Sequence, residues 1–292
     1  MPFSVAKELP AEQARNSTDR SVESKAKAPV RKLSVFEFRR SMSFGAKLGL
    51  GLAAWGLFVL SWHLFSVSGL ADPTLFPSPA RVLEAWILLF AEKDFALDVA
   101  QSLKRIFSSF GIALAIALPL GIMMGVFTPV GSFFNALVSP FRYLPAPSFV
   151  PLLLMWLGTG EEQKVALLVI GVVFFLTTLF MDNTRAVPME LVESSRTLGV
   201  KKLNVVWRVV LPSALPSYVD TARQMLAVSW TYLVIAEIVA ATDGIGAMMM
   251  RAKRFVQVDS IMAGILTIGL LGLLSDLLIR LIYRASFRYL KH

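Results

Sequence analysis

The sequence predicts an all-α polytopic membrane protein with about six transmembrane helices. Three observations lead there. Hydrophobic residues make up 55% of the 292 and charged residues 17%, whereas a soluble globule carries roughly 45–50% and 25%. The mean hydropathy is +0.64. Stretches with little or no charge, near the ~20 residues a helix needs to cross a bilayer, recur along the chain. The same composition removes other classes. With no cysteine, zinc fingers, iron–sulfur sites, thiol nucleophiles and disulfide scaffolds are excluded. His63 and His292 are the only histidines, so neither a His-rich metal site nor a His-based triad is expected, and no metal ligands are assigned.

Residues 1–45 read as a disordered, basic tail, and residues 46–292 as a transmembrane domain. The first 47 residues hold ten basic and five acidic side chains, with Pro2, Pro10 and Pro29 and little periodicity. Lys32 to Lys47 fits either a basic amphipathic helix on the membrane surface or a solvated tail. A secretory signal does not fit, because the apolar run starts too late.

Six spans follow in order. Residues 48–66 carry no formal charge. Between this span and the next, Asp72-Pro73, Pro77 and Pro79 mark a turn, and Arg81 to Phe90 reads as a short amphipathic helix. It is too short to cross, so it is placed at the interface. The second span is 106–127, with Pro119, Gly121 and Gly125 inside it. The third, 132–157, is interrupted by Arg142 and four prolines. The fourth is 165–181. The fifth, 216–239, holds Arg223 near its start and Glu237 near its end, and the sixth, 260–282, ends on Asp276 and Arg280.

The basic side chains orient these spans. Nineteen of the 29 fall in the N-terminal tail, the 182–213 loop and the C-terminal end. An excess of Lys and Arg marks the cytoplasmic side, so both termini are expected to be cytoplasmic. Eight fall on the opposite side, among them Lys104, Arg105 and Arg251, and blur the bias. Positive charge dispersed over membrane flanks, with no aromatic-interleaved basic patch, gives no support to nucleic-acid binding.

The loop at 183–213 is the most informative stretch. Pro188 suits the first position of a helix, and Gly199 the position just past its end. Glu190 and Glu193 favour the helix N-terminus, and Arg196 sits later. A second short helix from Lys201 to Val210 should stop before Pro212. The resulting helix–turn–helix would present Leu191, Val192, Leu198, Leu203 and Trp207 for packing. Physics alone allows a protrusion that docks in another protein's groove, or an amphipathic connector with no partner.

Within this loop Glu193-Ser194-Ser195 is followed after three residues by Gly199, and after nine more by Val209-Val210-Leu211-Pro212. This resembles the EAA loop of ABC importer permeases: Glu-Ala-Ala, three residues, Gly, nine residues, Ile, one residue, Leu-Pro. Serines replace the alanines and valine the isoleucine. Three further segments resemble the nitrate/sulfonate/taurine/bicarbonate permease family: Phe141-Arg142-Tyr143-Leu144-Pro145 with Trp156-Leu157-Gly158, Glu237 to Gly246, and Gly264 to Asp276. The likeness covers roughly residues 70–290.

The resemblance implies a type I ABC importer permease fold in a bacterial cytoplasmic (inner) membrane. It implies no catalytic residue and no cofactor in this chain, with ATP and Mg held by partner ATPase subunits. The absence of a Gly-x-x-x-x-Gly-Lys-Ser/Thr loop agrees. Other implied partners are a second permease copy, in a homodimer, and an external substrate-binding protein, all within lipid. Glu193, Ser194, Ser195 and Gly199 would form the helix that couples to the ATPase, with Val209, Leu211 and Pro212 leading into span five. The implied cargo is a small anion such as nitrate, bicarbonate, taurine or an alkanesulfonate. A heterocyclic vitamin precursor on the same fold and a stand-alone secondary transporter are the alternatives.

Charge inside a span suggests function. Arg142 is a candidate for an anion pathway, or bonds carbonyls freed by Pro140, Pro145, Pro147 and Pro151. Glu237 is a candidate gate, or pairs with an outer basic residue. Asp276 and Arg280, four apart, should pair with each other. Met248, Met249 and Met250 do not share a helix face and read as an ordinary apolar turn.

Overall fold

The computed structural model describes residues 42–240 and 242–288. The tail before residue 42 lies outside them. By its contacts the chain divides into two units, 1–56 and 57–292. The described part of the first unit, 42–56, is mostly helical and exposed throughout. It opens α1 (Phe44–Val67), which continues into the second unit. There Trp62 donates its indole N–H to the Pro77 carbonyl at 3.0 Å, and Ser66 its hydroxyl to the Phe76 carbonyl at 3.0 Å. Both fasten the turn that the prolines predicted.

Helix α2 (Pro79–Glu92) begins at Ser78, which caps the Arg81 N–H, and Pro79 sits where a missing N–H costs nothing. Val82, Ala85 and Leu89 form its buried stripe. That stripe faces α11 (Val258–Ser286), and the Trp86 indole donates to the Thr267 hydroxyl at 2.9 Å. The short helix placed at the interface thus packs along the last long helix.

Helix α3 (Phe95–Val126) starts eleven residues before the expected span. Lys104 and Arg105, expected on a flank, are therefore inside a helix. The extension holds because its polar side chains find buried partners, described below. Helix α3 packs most extensively on α6 (Glu161–Arg185), which likewise outruns the expected 165–181. The contact is close because of Gly121. A Cβ there would lie 2.6 Å from the Phe180 Cβ and 2.8 Å from the Thr177 carbonyl. Small residues let helices in lipid approach backbone to backbone. Gly121→Val should force the pair apart and destabilise the chain by about 1–3 kcal/mol, the scale of overpacking. Chemical denaturation in detergent measures this, and an unchanged midpoint would refute the close approach.

The third span is not one helix. It is α4 (Thr128–Phe141), a 3₁₀ turn (Ala146–Phe149) and α5 (Val150–Leu157). Pro145 and Pro147 lack the N–H that a continuous helix needs there, and proline disfavours helical backbone in the residue before it. The break falls at Arg142 to Pro145.

After α6 come α7 (Met189–Thr197), α8 (Lys202–Val205), a π turn (Val206–Val210), α9 (Leu211–Ala240) and α10 (Ile245–Arg254). Among the described residues α1, α3, α6 and α11 are long and apolar enough to cross a membrane by length and composition. Helix α9 is as long, at 30 residues, but carries Asp220, Arg223 and Glu237. The main core gathers Ile106, Ala117, Leu167, Leu176 and Leu233 from α3, α6 and α9. A second cluster joins Val82, Leu89 and Phe95 to Ile245, Met248 and Met249. The methionines thus lie in a helix rather than a turn, and two of them fill core. Asp276 and Arg280 pair as expected, at 2.9 Å. Arg223 of α9 also binds Asp276, tying α9 to α11.

Candidate functional sites

The loop between α6 and α9 folds into a helical hairpin, and local chemistry explains its shape. Pro188, expected as the first residue of the helix, instead caps α7, which begins at Met189. Gly199 ends it in the left-handed region, φ +78°. The Gly199 N–H bonds the Arg196 carbonyl at 3.0 Å, and the Val200 N–H reaches back to the Ser195 carbonyl at 3.1 Å. This is the Schellman arrangement, for which glycine is preferred.

The second helix does not stop before Pro212. It widens into the π turn, where the Leu211 N–H bonds the Val206 carbonyl, and runs into α9 without a break. A π turn carries one extra residue, which gives room for Pro212, whose missing N–H and ring oppose a regular α-helix. Val205 and Val210 are buried and seat the hairpin. At its base the Thr184 hydroxyl and Tyr218 phenol lie 2.7 Å apart, and Asn183 donates to the Thr221 hydroxyl at 2.7 Å. Leu191, Leu203 and Trp207 are exposed, and Leu198 is 84% exposed. Glu193 and Ser194 are exposed on the outer face of α7, while Ser195 turns its hydroxyl to the Leu191 carbonyl at 2.7 Å. Val209 and Leu211 are half-buried.

A second constellation lies at the other end of α6 and α9. Its centre is Arg105, 2% exposed. Arg105 grips Glu161 with two bonds, Nε to Oε2 at 2.8 Å and Nη2 to Oε1 at 2.6 Å. It also donates to Asp243 at 2.8 Å and pairs with Glu237, which is 1% exposed. The other Glu237 oxygen accepts the Gly246 N–H at 2.8 Å, and Ser102 donates to Glu237 at 2.7 Å. Asp98 accepts the Gly244 N–H at 2.8 Å and pairs with Arg251. These carboxylates and the Ser102 oxygen occupy the free N–H groups at the start of α10, where a helix dipole favours negative charge. One network thereby ties α3, α6, α9 and α10 together.

Of the two residues singled out for a pathway, Glu237 is spent within this network; its partner is Arg105, the basic residue expected on the outer flank. Arg142 is half-buried beside the break after α4. Its Nη2 donates to the Ser139 hydroxyl at 3.0 Å, its guanidinium lies 5.9 Å from the Tyr143 ring centroid, and its Nε is buried without a hydrogen-bond partner. Its recorded bond goes to this hydroxyl rather than to a freed carbonyl. Sequence reasoning missed Arg105, Glu161, Asp243, Asp98 and Ser102. A signal existed: Asp98, Ser102, Arg105 and Ser109 fall at spacings of four, three and four, one polar face of a helix leading into the apolar run.

Comparisons with known proteins agree with this architecture. The family model for "Binding-protein-dependent transport system inner membrane component" matches residues 117–289. The taurine transport system permease protein TauC of Escherichia coli is 29% identical over 253 residues, 85% of this chain and 91% of that protein. A putative aliphatic sulfonates transport permease protein, SsuC of Escherichia coli, is 30% identical over 82% of this chain and 92% of its own. Among solved structures, an inward-facing MetNI methionine ABC transporter chain superposes with a TM-score of 0.60 at 24% identity, covering 66% of this chain and 98% of that one. The chain belongs to the family of binding-protein-dependent transport system inner membrane components and is a permease subunit of an ABC importer.

Proposed function

We propose that the chain carries a small sulfonate, taurine foremost, across a bacterial inner membrane, with both termini in the cytoplasm. Two cytoplasmic ATPase subunits would bind ATP and Mg and drive transport. A second copy of this chain would complete the pathway, and an external binding protein would deliver the cargo. The observation that carries this reading is the α7–α8 hairpin. It and the π turn after it hold Leu198, at the glycine-terminated end of α7, Leu203 of α8 and Trp207 of the π turn out of the core, an apolar surface of the kind that docks in a groove. Glu193, Ser194, Ser195 and Gly199 would make the contact; Val209, Leu211 and Pro212 would transmit its movement to α9. The names of relatives support a sulfonate, and Arg142 supplies a cation beside a broken helix where backbone can line a cavity.

Co-purification tests the reading. An ATPase subunit should accompany the full chain from detergent extracts, and Leu198→Asp should lower its recovery about tenfold or more by placing a charge in an apolar contact. Cells carrying the intact importer should take up labelled taurine. Full ATPase recovery with Leu198→Asp would remove the hairpin from the contact.

A further inference from the structure

The turn between α10 and α11 is an exposed knob that the fold itself does not use. Helix α10 ends in the same hydrogen-bond pattern as α7. The Val256 N–H bonds the Lys253 carbonyl at 3.1 Å, and the Gln257 N–H the Ala252 carbonyl at 3.0 Å. Here, however, the left-handed position is held by Val256, φ +56°, where α7 has glycine. A β-branched side chain is strained there. No packing offsets that strain: Val256 is exposed, and the preceding Phe255 is 75% exposed. Strained positions of this kind gather at binding and switching sites.

The surroundings point to a partner. Lys253 and Arg254 flank the knob, exposed, and neither has an ion-pair partner among the described residues. Beside it runs a trench between α2 and the start of α11, made of adjoining cavities of about 360 and 320 Å³ that share Lys93, Gln257 and Ser260. Glu84, Glu92 and Asp259 alternate there with Arg81 and Lys93. An anionic lipid surface rewards positive charge and apolar insertion but repels carboxylates such as Glu84, Glu92 and Asp259. Apolar tips beside a trench of mixed charge suit a folded protein with its own polar pattern. A second copy on a two-fold axis through the knob would set basic tip against basic tip.

The knob also lies at the right end. Helix α9 leaves the hairpin end and reaches the Arg105 network, and α11 begins beside the Val256 turn and returns to Arg223. With the hairpin cytoplasmic, the knob faces outside. We infer that Phe255 and Val256, flanked by Lys253 and Arg254, form the docking knob for an acidic edge of the external binding protein. This rests on the orientation and partners proposed above.

Photo-cross-linking tests it in the full chain, expressed with the importer's other subunits. Benzoylphenylalanine in place of Phe255 should give an adduct that mass spectrometry identifies as a solute-binding protein. The Lys253→Glu, Arg254→Glu pair should cut that adduct about tenfold or more at unchanged membrane abundance. Val256→Gly should raise the melting temperature while weakening the adduct, which a purely structural turn would not do. The same probe in place of Leu198 should capture the ATPase. Capture at Leu198 with only lipid, a second permease chain or nothing at position 255 overturns the docking inference alone. No ATPase at Leu198 and no binding protein at position 255 overturns the proposed hairpin contact with it.

Discussion

Arg105→Ala is expected to destabilise the folded chain by about 3–5 kcal/mol, the scale of breaking one side of a buried ion pair. The reason lies in what remains. Glu237 stays 1% exposed and keeps the Ser102 hydroxyl and the Gly246 N–H but loses its cation. Glu161 and Asp243, half exposed, can turn to solvent. The penalty therefore concentrates on Glu237. Arg105→Lys should rescue little, because an ammonium cannot grip Glu161 through two parallel bonds while reaching Asp243 and Glu237. Adding Glu237→Gln to Arg105→Ala should recover part of the loss by removing the stranded charge. Denaturant midpoints in detergent for the three variants measure this. A single-variant loss under about 1 kcal/mol, the range of an exposed ion pair, would show that the network is not buried as described.

Gly199→Asp is expected to abolish transport while leaving the protein inserted at normal abundance. A side chain at 199 meets nothing within 4 Å, so no clash drives the effect. Two effects act: φ +78° is costlier for any side chain than for glycine, although Asp, like Asn, visits it, and a carboxylate beside a helix C-terminus, inside the contact surface, opposes the dipole. Release from that conformation breaks the Val200-to-Ser195 bond and swings α8 relative to α7. Leu198 and Leu203 then no longer present one surface. Gly199→Asn, which tolerates the left-handed region and adds no charge, should keep most activity. Taurine uptake set against membrane abundance distinguishes these outcomes. Normal uptake by the Asp variant would remove Gly199 from coupling.

Much of the fold was legible because membrane helices write their length in composition. The apolar runs at 106–127, 165–181 and 260–282 each lie in or nearly in a helix. Their ends were not legible. Helix α3 continues through Asp98, Ser102 and Arg105 because partners from three other elements neutralise them, and no local rule supplies those partners. The prolines after Phe141 announced an interruption, but not that the span would become two short helices and a 3₁₀ turn. Pro212 misled for a related reason. Proline argues for a stop, yet the π turn at 206–210 absorbed it and kept the helix continuous.

The candidate sites divide along the same line. The hairpin was readable because its chemistry is local: Pro188 caps a helix, Gly199 ends it, and the spacing to Leu211-Pro212 spans fewer than twenty residues. The Arg105 network was not, because Arg105 meets Glu161, Glu237 and Asp243 from 56, 132 and 138 residues away. The sequence by itself determined a helical membrane chain with one local helical hairpin, since hydrophobic length and helix-capping chemistry act over neighbouring residues. Only the tertiary structure decided which charges lie buried together and which turn stays strained at the surface. Long-range packing chooses the partners of a buried charge, and no spacing along the chain encodes that choice.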